Sequence, residues 1–75
     1  MTMEITIRFA NAHIDHDEFF TSVKEFDTKA HFKGYLIGGL YFTTERTVDE
    51  FFEFLERTGM GIMDFENIEF KPVRT

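Results

Sequence analysis

The chain has no cysteine, no tryptophan, one proline and five glycines in 75 residues. Without cysteine there is no disulfide framework, no thiol nucleophile and no cysteine-ligated zinc, a usage that fits a reducing compartment. Cations are scarce as well: eight Lys and Arg stand against fourteen Asp and Glu, for a formal charge of −6 at pH 7. That balance is the wrong sign for a protein that binds by neutralising phosphates, so direct nucleic-acid binding is not expected. No apolar run is long enough to span a bilayer. Met1 to Ala10 alternate apolar and polar residues instead of presenting a basic head and an apolar stretch, and so read as a strand of a cytoplasmic protein without a leader. No phosphate loop, nucleophile with an adjacent base or zinc-protease motif occurs, and enzyme activity is not expected. Nor does any linker or low-complexity stretch divide the chain, which reads as a single domain over residues 1–75.

What the sequence does have is phenylalanine, eleven of them. A domain this small buries only about 60% of its unfolded surface. Large rings compensate, since each removes much apolar area from water for the entropy of ordering one residue.

Four of the phenylalanines fall in a repeated tetrapeptide, Asp17-Glu18-Phe19-Phe20 and Asp49-Glu50-Phe51-Phe52. Asp15 precedes Glu18 by three residues and Thr47 precedes Glu50 by three. Each pair has the spacing of a capping box, in which the cap side chain and the glutamate satisfy each other's free backbone N–H. The acids then occupy the first turn, facing the positive end of the helix dipole. Ile14 and Phe19 have the spacing of a hydrophobic staple, for which Arg46 leaves no counterpart in the second copy. Phe19, Phe20, Val23 and Phe26 make one apolar face of a first helix ending near Asp27. Val48, Phe51, Phe52 and Leu55 repeat it in a second, which Gly59 terminates as a left-handed cap. The repeat is a helix entrance used twice.

Strand periodicity fills the remainder. Met3, Ile5, Ile7 and Phe9 point one way, and Glu4, Thr6 and Arg8 the other. His31 to Thr44 holds two apolar runs around Gly38-Gly39 and reads as a hairpin. A three-residue loop, Ile37-Gly38-Gly39, pairs Leu36 with Leu40 and keeps Lys33 and Tyr35 off the buried face. The last strand is Phe65 to Lys71, with Ile68 and Phe70 inward, and Pro72 limits it or marks an edge. Two similar βαβ halves with right-handed crossovers give a βαββαβ sandwich, a four-stranded antiparallel sheet with both helices on one face. This order resembles the ferredoxin-like fold, which serves many unrelated functions, so function has to be sought on the surfaces.

Asp15, Asp17, Glu18, Glu25, Asp27, Glu45, Asp49, Glu50, Glu53 and Glu56 lie on or beside the helices. They are either a solvated face that keeps the protein soluble or an electrostatic match for a basic protein surface, such as that of a protein handling nucleic acid. Phe54, about 60° off the Phe51 and Leu55 stripe at about 100° per residue, is expected to be half exposed. With Met60 and the loop through Ile62 and Met63 it offers an apolar centre to the acidic rim. The candidate partner site is therefore Asp49, Glu50, Glu53, Phe54, Glu56 and Met60, and the leading expectation is an acidic inhibitor or regulator acting by protein–protein binding.

The alternative site is the open sheet face, with Arg8, Lys33, Tyr35 and Tyr41. There two copies could enclose a small molecule between sheets, as ferredoxin-like domains often do, either as a binding module or as a minor enzyme. Single-stranded RNA stacking on the tyrosines is the third reading. Lys33-Gly34-Tyr35 resembles a fragment of the basic-glycine-aromatic signature of RNA-recognition domains, although that family carries it on the third strand and here it falls on the second. No cofactor is expected. His13 and His16, flanking Asp15, are the one metal candidate, weakened because His13 precedes the helix cap and Asp15 and Asp17 already have helix roles.

Overall fold

The computed structural model describes residues 2–11 and 13–73. Met1, the first residue of the expected strand, lies outside them. The elements run β1 (Thr2–Phe9), α1 (His16–Phe26), β2 (His31–Leu36), β3 (Gly39–Thr44), α2 (Val48–Arg57), a 3₁₀ turn (Ile62–Asp64) and β4 (Phe65–Val73). The strands form one antiparallel sheet in the order β2-β3-β1-β4. With two helices, this is the ferredoxin-like α+β arrangement. No helix among the described residues is long and apolar enough to cross a membrane.

Each helix begins where its cap dictates. Asp15 Oδ1 accepts from the N–H groups of Asp17 and Glu18, and Thr47 with Glu50 makes the full reciprocal box. α2 ends in a Schellman turn: Gly59, at φ +80°, donates to the Glu56 carbonyl, and Met60 donates to that of Leu55. The helices bury Phe19, Val23, Phe51, Phe54 and Leu55 against Ile5, Ile7, Leu40 and Phe42 of the central strands. Ring edges meet ring faces through this layer, as in Phe20 on Phe42 at 5.8 Å and Phe9 on Phe19 at 5.2 Å.

The hairpin departs from the three-residue loop expected. Leu36 pairs with Gly39 across the two-residue turn Ile37-Gly38, and the register shifts between Phe32 and Gly34, leaving Lys33 as the extra residue of a bulge. Gly38 supplies the positive φ of +74° that Ile37 avoids. Gly39 is fixed by close packing, since a Cβ there would stand 1.8 Å from the Ile7 carbonyl oxygen. The bulge lets Phe32 pair with Phe42 on the buried face and still allows a tight turn after Tyr35 and Leu36 have paired. It also reverses the outer half of β2. Tyr35, opposite Leu40, lies on the helical side of the sheet, and Leu36, opposite Gly39, lies on the open side with Arg8.

Candidate functional site

α2 carries its exposed carboxylates in a line. Asp49, Glu53 and Glu56 follow one another at four and three residues, so they share the helix face turned away from Phe51, Phe54 and Leu55. Among the described residues the one ion pair is Arg46 with Glu50 at 3.2 Å, beside this line and not in it. Glu50 is already committed: its carboxylate accepts from the Thr47 N–H and from Arg46. The Thr47 backbone bond, then the Thr47 hydroxyl and Arg46, hold its pKa below the ordinary value. Of the four acids picked out on α2, three are free to meet a partner.

Phe54 is not half exposed. It is buried in the core, 4% exposed, with its ring stacked 4.8 Å from that of Phe26 and edge-to-face with Phe19 at 6.2 Å. The stripe is centred on the side facing α1, so Phe51, Phe54 and Leu55 form it, and the residue displaced toward water is Phe52, 42% exposed. Phe52 leans on Phe70 at 5.7 Å and, with Ile62, Phe65, Ile68 and Phe70, lines an open groove of about 270 Å³ beside β4. Ile62, at the head of that groove, is 81% exposed, and the next residue along the chain, Met63, is 87% exposed. Met60 packs instead against the core and lines a different hollow, about 330 Å³, with Ile14, Phe19 and Glu18 between the start of α1 and the end of α2. The apolar surface next to the acids is thus on the β4 side of α2, not on the α1 side. The signal was present in the sequence: a strand whose inward residues Ile68 and Phe70 stand at a sheet edge needs a helix side chain over them, and Phe52 is the one that reaches.

Asp27, counted with the outer acids, is buried at 5% exposure. It accepts from the Thr44 hydroxyl at 2.6 Å and from the backbone N–H groups of Glu45 and Lys29 at 3.0 and 2.9 Å. Burial on its own raises the Asp27 carboxyl, but these three donors and the Arg46 charge outweigh it and hold the group below its ordinary value. Asp27 is a pin between the end of α1 and the β3–α2 turn.

The open sheet face keeps Arg8 and Tyr41, whose ring covers Gly34 with Cε1 3.0 Å from where a Cβ would be. Lys33 sits in the bulge, and Tyr35 is on the other side of the sheet, so the four residues of the alternative site do not come together there. Tyr35 donates its hydroxyl to Asp17, which raises its pKa above the ordinary value, and its ring stacks 6.3 Å from His16. His16 in turn stacks on Phe9 at 5.1 Å. The backbone of His13 donates to the Asn11 side chain, and no three His, Asp or Glu side chains among the described residues are grouped to hold a metal ion.

Comparison of the chain with protein-family models, with curated proteins and with solved structures gives no match.

Proposed function

We propose that this chain is a non-enzymatic protein-binding module, an inhibitor or regulator that occupies a basic surface of its partner, such as that of a protein handling nucleic acid. The contact is made by Asp49, Glu53 and Glu56 of α2. The observation that carries this reading is that, although Asp49 suits the start of the helix, the like-charge spacing of the line and the place of Glu56 at the end work against the helix that bears them. A face serving solubility alone alternates signs at i and i+4, which stabilises a helix by roughly 0.2–0.5 kcal/mol per pair. Here Asp49 and Glu53, and Glu53 and Glu56, set like charges on neighbouring positions. Glu56 also lies in the last turn, where the negative end of the helix dipole disfavours a carboxylate by roughly 0.3–1 kcal/mol. A locally unfavourable arrangement on an exposed face is what a binding surface tolerates, because a basic partner reverses the sign of every term.

The test is capture from nuclease-treated lysate of the native host, comparing the protein with its Glu53→Lys/Glu56→Lys variant. The expected result is a basic protein held by the unaltered chain at low salt, released at high salt and absent with the variant, whose circular dichroism stays unchanged. Equal retention by a folded variant removes α2 from the interface.

A further inference from the structure

β4 is an edge strand, and its unpaired side can be identified. The Phe9 N–H donates to the Gly38 carbonyl on the β3 side of β1, while the Ala10 N–H donates to the Asp64 carbonyl on the β4 side. Backbone groups alternate along a strand, so Glu4, Thr6 and Arg8 address β4 and are answered by Lys71, Glu69 and Asn67. Ile68, Phe70 and Pro72 therefore direct their backbone groups outward. Their side chains lie on the helical face, next to the groove roofed by Phe52 and Ile62. An exposed edge with an apolar strip along it is a template for another strand.

We propose that this edge joins two copies of the chain, β4 pairing antiparallel with β4 of the second copy about a two-fold axis at Phe70. The side-chain charges select both the occupant and the register. With the axis at Phe70, each Glu69 stands directly opposite Lys71 of the other copy on the open face. Moving the axis one residue either way sets Glu69 opposite Glu69 or Lys71 opposite Lys71, and like charges directly opposed are unfavourable. Within its own sheet Glu69 faces Thr6, whereas Lys71 faces Glu4. The second copy thus puts a cation directly opposite Glu69, where its own sheet has Thr6, and Lys71 comes to lie between two carboxylates. At the axis the two Phe70 residues exchange both backbone hydrogen bonds, and each Ile68 N–H reaches the Pro72 carbonyl of the other copy. Pro72 has no N–H to offer and ends the ladder there, which limits the pairing to one isologous register and prevents an open-ended stack. On the helical face, Phe70 meets Phe70 and Ile68 meets Pro72, continuing the apolar strip between the two Phe52 side chains. The result is an eight-stranded sheet with all four helices on one side.

Sedimentation equilibrium from micromolar to millimolar concentration tests this, with two single variants at exposed positions, Glu69→Lys and Lys71→Glu. Each variant alone opposes like charges at both symmetric pairs, so its dimerisation should weaken roughly tenfold or more. An equimolar mixture restores an unlike pair at both places, and heterodimers should form with about the affinity of the original chain. Circular dichroism confirms that each variant is folded. A chain that stays monomeric throughout the series overturns the proposal; so does undiminished self-association of both variants, or a mixture no tighter than its components. The inference is independent of the acidic line on α2: Glu53→Lys/Glu56→Lys should leave the dimer intact.

Discussion

At the scale of single residues, Asp27 shows how one buried carboxylate does what the rest of a small core leaves undone. Its three acceptor contacts tie α1 to the β3–α2 turn, and they hold the group in its charged form. Removing it strands buried donors. Asp27→Ala should therefore cost roughly 1–3 kcal/mol at neutral pH, measured by urea unfolding. The pH dependence follows from the direction of the shift. A carboxyl held below its ordinary 3.8 in the folded state contributes stability that is fully present above that value. The contribution is lost as the pH falls through the lower, folded-state value. The difference between the original chain and Asp27→Ala should thus be constant at neutral pH and shrink on acidification below about pH 4. A difference that does not change with pH would mean the charge is not what the site recognises. Tyr35 gives a second reading at this scale. Its hydrogen bond to Asp17 holds the phenol protonated beyond its ordinary 10.0, and an absorbance titration should show that ionisation move back down in Asp17→Asn.

At the scale of elements, the helices and the hairpin were legible but the hairpin's register was not, for a physical reason. Caps and dipoles act within one turn, so Asp15, Thr47 and Gly59 fix α1 and α2 from neighbouring letters alone. The burial of Phe54 depends on where α1 lies, and the turn of Phe52 toward Phe70 on where the edge strand β4 lies; the pattern of α2 by itself carries neither and centres the stripe one position off. In the hairpin the choice lay between burying Lys33 and shortening the register, and the chain avoids both by inserting Lys33 as a bulge. That solution needs Gly34 under Tyr41 across the hairpin and Gly39 against Ile7 of β1, the second a contact between segments far apart in sequence. The glycines rank accordingly. Gly39→Ala drives a Cβ into the Ile7 carbonyl and should be the most damaging substitution. Gly38→Ala, in open space but at positive φ, should cost roughly 1–2 kcal/mol, or about 4–16 °C in Tm for a domain of this size. Gly61→Ala, with open space and an ordinary φ of −102°, should be close to neutral. Thermal melts of the three variants give the order, and a Gly39→Ala protein as stable as Gly61→Ala would contradict the close approach of β3 to β1.

At the scale of the whole molecule, two surfaces meet at α2 and ask for opposite things. Toward β4 the helix presents Phe52 and a groove that favours burial, and away from the sheet it presents carboxylates that repel one another. Pairing two copies through β4 keeps both helical layers on the same side of a continuous sheet. In the proposed dimer two acidic lines face one direction, so a partner with an extended basic surface would engage both within one encounter and gain affinity without a new kind of contact. The arrangement has a measurable cost within the single chain. Glu56 opposes the dipole at the end of α2 and repels Glu53, so Glu56→Lys exchanges two unfavourable terms for two favourable ones. Each term is a few tenths to about 1 kcal/mol. The variant should be more stable than the original by about 1 kcal/mol in low salt, a rise of roughly 4–8 °C in Tm. Because the charges are exposed, the gain should shrink at high ionic strength, where they are screened within a few ångströms. The same substitution should weaken capture of the basic partner and leave dimerisation unchanged. Stability gained at the residue where binding is lost identifies a surface kept for recognition. A Glu56→Lys chain no more stable than the original, or equally able to hold its partner, would return the acidic line to the role of an ordinary solvated face.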